Sequence, residues 1–293
     1  MDSQYERATT RGNGIVKVAL IGAGGKMGRR ITANMRHLPQ YQMAYVEVSE
    51  SARASLQEEG IQTISQSEAL AGAKAVILAV PDARIGAASQ DIVPHMESDS
   101  VLIGLDPAAG YAGVFPYRED VTFFAAHPCH PPLFHEEYTP EAQRDWFGGI
   151  AARQSVVCAL ISGSEENYQI GEAIAADMYA PILRMHRISI EQMAILEPGV
   201  VETTCATLIT TMREALDHCI EMGVPEAAAW DFVLGHIRVE LAIVFGFAGF
   251  PFSDGAKLAI ENAKQKILQP AWKDNVLSLP AVQQQVQDIT QHK

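Results

Sequence analysis

From Val16 onward, short runs of β-branched and aliphatic residues recur, each followed by a more polar stretch with helical spacing. Val16–Ile21, Met43–Val48, Ala75–Val80, Val101–Leu105 and Val121–Ala126 predict strands, with a weaker run at Ile61–Ile64. Segments near 26–37, 50–59 and 84–90 predict the helices between them. Apolar strands alternating with helices are the mark of βαβ units, in which helices cover both faces of a parallel sheet. The first part of the chain is therefore expected to be a doubly wound parallel sheet of Rossmann type. Ser155–Ile161 and Leu183–Ile188, around a helix from about Glu165 to Met178, extend the same sheet.

The pattern changes after Ile190. Glu191–Met222 keeps a helical period with few turn residues apart from Pro198 and Gly199. Gly223 and Pro225 break it, and a second long helix is expected from about Pro225 to Phe245. A Gly/Pro/Phe loop follows, then a helix over Ala256–Ile267. The reading is a disordered leader at 1–14, a Rossmann domain at 15–189 and an all-helical domain at 190–293 that holds substrate and dimerises.

Composition narrows the class. Of 293 residues, 48% are hydrophobic and 19% charged, so a packed core is expected. The formal net charge of −13 repels phosphate backbones and anionic lipid, which argues against nucleic-acid and membrane partners. Cys129, Cys158, Cys205 and Cys219 form no C-x-x-C pair, and the polar N-terminus has no apolar signal core. A cytoplasmic protein is the simplest expectation.

An acidic protein that binds an anionic cofactor needs local donors, and the segment KVALIGAGGKMGRRI supplies them. A strand runs into Gly22, Ala23, Gly24, Gly25, Lys26, Met27 and Gly28, where a helix starts. Glycines let the backbone approach a pyrophosphate, and the helix N-terminus offers N–H donors and partial positive charge. The spacing reads as G-x-x-G-x-x-G on Gly22, Gly25 and Gly28, or as a variant with Ala23 in the first glycine position. Glu47, about 20 residues further on at the end of the second strand, can accept from a ribose diol and disfavours a 2′-phosphate, so NAD is expected over NADP. Val80 and Pro81 end the ILAVPD strand at the edge where a nicotinamide lies.

The loop HPCHPPLFH follows the Val121 strand and carries His127, Cys129, His130 and His135, stiffened by three prolines. His127, at the strand end, can act as general base, carbonyl polariser or metal ligand. Glu197 sits before Pro198 among Ile195, Leu196, Val200 and Val201, where a carboxylate is costly to bury unless paired or metal-bound. His236 and Glu240, four apart on one helix, read as a structural pair. Arg213, Arg238 and Lys257 are the candidate cations for a substrate carboxylate.

The opening segment is similar to dihydrodipicolinate reductase over the first strand and helix only, since that family's substrate motif is missing. More broadly the layout looks like the 6-phosphogluconate dehydrogenase, prephenate dehydrogenase and ketol-acid reductoisomerase group. Along most of the chain, GAGGKMG, LAVPD, LDPAAGYAG, HPCHPPLF, LEPGVVET and FSDGAKLAI together resemble the D-apionate oxidoisomerase family. The resemblance implies NAD-dependent oxidation of D-apionate at C2 and metal-assisted hydroxymethyl migration to 3-oxoisoapionate. It also implies that His127 and Glu197, one from each domain, hold a divalent metal, Zn²⁺ preferred and Mg²⁺ possible. A simple hydroxy-acid dehydrogenase, which could be decarboxylating, is the alternative enzyme. A non-catalytic NAD-binding regulator is the alternative outside catalysis. Abundant apolar residues in the helical half imply a homodimer.

Overall fold

A computed structural model describes residues 14–134 and 136–291. The expected leader therefore lies almost wholly, and His135 entirely, outside the described residues. The chain divides into two compact units, residues 1–194 with 283–293, and residues 195–282. The division falls at Ala194/Ile195 rather than near 189, and it assigns the last residues of the chain to the first unit.

The first unit is built on seven strands: β1 (Val16–Ile21), β2 (Tyr41–Val46), β3 (Ala75–Leu78), β4 (Ser100–Gly104), β5 (Val121–Pro128), β6 (Gln154–Ser162) and β7 (Ile182–Arg187). Their order is β2-β1-β3-β4-β5-β6-β7. Its helices are α1 (Lys26–Met35), α2 (Glu50–Glu58), α3 (Gln66–Leu70), α4 (Asp82–Ile92), α5 (Pro107–Tyr111), α6 (Pro140–Arg144), α7 (Glu165–Met178) and α8 (Ile190–Ala194). Successive strand residues point to opposite faces, and each face has its own core. Val18, Leu20, Ile77, Ile103 and Phe124 pack with Ile31 and Met35 of α1 and Ile174 and Met178 of α7. Ala19, Ile21, Val76, Leu78 and Leu102 pack on the other side with Ile85 and Ile92 of α4. This three-layer burial explains why the central strands β3, β4 and β5 are apolar on both faces.

Two expectations change. The sheet is mixed, because β6 runs antiparallel to β5. A parallel neighbour needs a crossover that covers a sheet face, and among the described residues of the 129–153 connection the helix is the five-residue α6. The run at Ile61–Ile64 makes a single parallel bridge, Thr63 to Tyr45, instead of a strand.

The second unit is helical, with a π-helical stretch at Ile195–Ala206, then α9 (Thr207–Glu221), α10 (Glu226–Val244), α11 (Asp254–Ile267) and α12 (Trp272–Leu277). The final helix α13 (Leu279–Gln291) crosses the boundary at Val282. Pro198 lies within the π-helical stretch. A proline lacks the N–H for an α-turn and clashes with the carbonyl four residues back, and the wider π turn accommodates both defects. Thr203 Oγ1 donates to the Pro198 carbonyl at 2.6 Å and Thr204 Oγ1 to that of Gly199 at 3.0 Å. No helix among the described residues is long and apolar enough to cross a membrane.

Candidate active site

The parallel strands β1, β3, β4 and β5 end at one edge of the sheet, so the glycine turn, Val80-Pro81, Asp106 and His127 emerge side by side. The chain goes from β1 out to β2 and returns to β3 on the far side of β1. That reversal opens the crevice where doubly wound sheets take their ligands.

The turn after β1 is set by close packing. Gly22 has φ +84°, and a Cβ there would lie 2.4 Å from the Ala79 carbonyl oxygen. A Cβ on Gly28 would lie 2.2 Å from the Gly22 oxygen, and one on Gly24 would meet Ala52 Cβ at 2.6 Å. Gly25 is much less constrained, with its nearest neighbour at 3.4 Å. The sterically required positions are thus Gly22, Gly24 and Gly28, a G-x-G-x-x-x-G spacing. This packing requirement differs from both spacings read from the sequence, which include Gly25; at Gly25 the protein's own atoms leave room, and only a closely approaching pyrophosphate would demand glycine there. Gly25 is instead the N-cap of α1, in extended conformation with no side-chain cap, and the first turn of α1 holds no acidic residue. Those amides can serve an anion.

Glu47 lies one residue beyond β2 and is tied to this turn. Its Oε2 accepts from Gly24 N at 2.9 Å, and its Oε1 accepts from Val48 N at 2.8 Å and Ser49 N at 2.9 Å. Oε1 is thereby saturated, and Oε2 keeps one lone pair for a ribose hydroxyl. Glu47→Ala is expected to weaken NAD binding by roughly tenfold and to relax discrimination against NADP. Parallel titrations with both cofactors check this, and an unchanged preference means that another residue reads the ribose.

At the ends of β4 and β5, Gly104 pairs with Ala125. Carried on by two residues, this register sets Asp106 opposite His127, and each offers a ligand atom within 4.8 Å of the other. His127 Nδ1 lies 2.9 Å from the Leu105 carbonyl oxygen. A carbonyl can only accept, so Nδ1 carries the proton and Nε2 is the nitrogen that presents a lone pair. Asp106 caps α5, its Oδ1 accepting from Ala108 N at 2.7 Å. Tyr179, whose ionisation burial pushes up, donates to the carbonyl of Ala126 at 3.2 Å and braces the strand just before His127. Asp82 begins α4. Although much of its surface is open, partial desolvation raises its carboxyl above the usual range, with His127 acting in the opposite sense.

Of the other expected residues, Val80 is half-buried and Pro81 is exposed at the N-cap of α4. His130 has φ +60°, and its Nδ1 donates to the Phe147 carbonyl at 3.0 Å, a role in holding the loop. Cys129 is exposed. In the second unit, Glu197 is half-buried in the first turn of the π-helical stretch. His236 bonds through Nδ1 to the Phe232 carbonyl of its own helix at 2.7 Å and stacks on that ring, which fits a structural role. Arg213 is paired with Asp217 and Lys257 with Asp254. Sequence reasoning missed Asp106 as a ligand candidate. Its signal was an Asp directly before Pro107, an N-cap pattern at the end of a strand.

A family model for the NAD binding domain of 6-phosphogluconate dehydrogenase matches residues 17–106, and one for the C-terminal part of decarboxylating phosphogluconate dehydrogenase matches 135–290. A protein of Cupriavidus necator named D-apionate oxidoisomerase is 47% identical over 257 residues, covering 87% of this chain and 93% of that one. The chain belongs to the D-apionate oxidoisomerase family. A second family relative, from Rhizobium rhizogenes and of the same name, is 43% identical over 93% of this chain and 99% of its own length. A crystal structure from Cupriavidus necator, described as a semialdehyde dehydrogenase NAD-binding protein in complex with calcium and NAD, has a TM-score of 0.91 at 44% identity. It covers 94% of this chain and 99% of that one. As a member of this family, the chain is an NAD-dependent oxidoreductase with a 6-phosphogluconate dehydrogenase-like fold.

Proposed function

We propose that this chain oxidises D-apionate at C2 with NAD and isomerises the product to 3-oxoisoapionate. The single observation that supports it most is the His127–Asp106 pair at the β4/β5 edge, on the same side of the sheet as the dinucleotide turn. The phosphogluconate dehydrogenase domain matches alone predict only a dehydrogenase. An imidazole with a fixed tautomer beside a carboxylate adds the donor set that a ketol shift needs.

In the first half-reaction the C2 hydride passes to the nicotinamide at the Val80-Pro81 edge and the C2 hydroxyl proton is lost, leaving a 2-oxo acid. In the second, the C3 hydroxyl loses its proton, the hydroxymethyl group moves with its bonding pair from C3 to C2, the C2 carbonyl π pair moves onto its oxygen, which takes up a proton, and C3 becomes the ketone. His127 Nε2, Asp106 and Glu197 are the residues that would hold a divalent cation. When bound, the cation would polarise the accepting carbonyl and acidify the C3 hydroxyl. An imidazole among carboxylates favours Zn²⁺, with Mg²⁺ as its competitor. Arg213, Arg238 and Lys257 are the candidate cations for the substrate carboxylate, of which Arg213 and Lys257 are paired with Asp217 and Asp254. The decisive experiment is carbon NMR of the product formed from D-apionate and NAD, with and without chelator. A rearranged skeleton that chelator suppresses is expected, and an unrearranged product reduces the activity to a plain dehydrogenase.

We also propose that the functional unit is a homodimer in the cytoplasm. Phe232, Phe245 and Phe247 are each about two-thirds exposed, and α11 buries no residue. Apolar surface on this scale marks an interface, and a second copy of the same helical layer is our chosen occupant. Light scattering is expected to report twice the 31.8 kDa chain mass, and a monomer at micromolar concentration refutes the dimer.

A further inference from the structure

The 129–153 connection between β5 and β6 is fastened to the dinucleotide helix by a set of bonds that the reaction itself does not require. The Asp145 carboxylate, with its side chain 3% exposed, accepts from Ile150 N and Ala151 N at 3.0 Å and from Ala152 N at 3.2 Å. It also pairs with Arg30 of α1 at 3.5 Å, and Arg30 donates in turn to the Gly148 carbonyl. Gly148, at φ +71°, lies so close to the Gln154 amide that a Cβ would come within 2.5 Å of it. His130 holds the Phe147 carbonyl from the other side.

These bonds fix the backbone that carries Phe147. Its ring centroid lies 3.6 Å from Lys26 Nζ and 5.4 Å from the Arg30 guanidinium carbon. Lys26 is the first residue of α1, directly after the capping Gly25. A lysine stem has large rotamer freedom, and fixing its head on binding costs conformational entropy unless a neighbour already restrains it. The face of an aromatic ring restrains an ammonium without neutralising it, so the positive charge stays available to a second partner.

We propose that Phe147 is a positioning residue for the cofactor: its ring holds the Lys26 ammonium at the mouth of the glycine turn as counter-charge to the dinucleotide diphosphate. The inference rests on the dinucleotide reading of that turn, which titration of the wild-type protein with NAD tests separately. In a chain with net charge −13, a restrained cation at this point offsets the repulsion that a diphosphate meets on approach.

The test uses ADP and adenosine as probes, titrated calorimetrically into the full-length protein. Phe147→Leu keeps an apolar side chain and removes the ring face. It is expected to weaken ADP and NAD binding about two- to fivefold, to leave adenosine binding unchanged, and to be rescued by Phe147→Trp. In a Lys26→Met background, Phe147→Leu is expected to add no further loss. Wild-type ADP affinity in Phe147→Leu overturns the proposal. So does an equal loss for adenosine, or a loss that persists undiminished without Lys26.

Discussion

His127→Ala is expected to lower turnover by on the order of 10²–10⁴-fold while NAD binding stays nearly intact. The imidazole is oriented by the Leu105 carbonyl, which makes Nε2 the lone-pair nitrogen, and alanine removes that donor entirely. The cofactor turn belongs to β1 and is held by its own contacts with Ala79 and Glu47, so it has no need of His127. Glu197→Ala carries the same expectation. Asp106 needs a subtler variant, because the side chain also caps α5. Asn is as good an N-cap as Asp, so Asp106→Asn removes the charge and keeps the cap, whereas Asp106→Ala adds about 1 kcal/mol of lost capping. Steady-state rates with NAD titrations on the same preparations check all three. Wild-type turnover in His127→Ala or Glu197→Ala removes the metal assignment.

Gly28→Ala is expected to damage both folding and cofactor affinity, against the trend of helix propensity. Alanine in a helix interior is favoured over glycine by about 1 kcal/mol, so propensity alone predicts a stabilised protein. The added Cβ, however, would sit 2.2 Å from the Gly22 oxygen, a backbone atom that cannot swing aside. Relieving the overlap means separating α1 from the β1 turn, at about 1–3 kcal/mol and with the donors for the diphosphate displaced. A lower melting temperature and NAD affinity reduced at least tenfold are the expected readouts. Gly25→Ala is the control, since its Cβ meets only ordinary contacts, and its melting temperature is expected to match wild type. If Gly28→Ala proves as stable as wild type, the glycine spacing assigned here is wrong.

The sequence by itself determined the elements and the cofactor class. Side-chain alternation and helical spacing act over two to four residues, so the strand runs, the change to helices after Ile190 and the glycine turn were all legible locally. Motifs spread along the chain also identified the family. Only the tertiary structure decided which glycines are indispensable, because the atoms that exclude a Cβ at Gly22 belong to Ala79 on the neighbouring strand. The antiparallel run of β6 was likewise hidden, since a strand's own residues do not encode the direction of its neighbour. Asp106 and His127 are far apart in sequence and became a pair through the β4/β5 register alone. A contact of that kind is a property of how two strands align, and no pattern within either strand contains it.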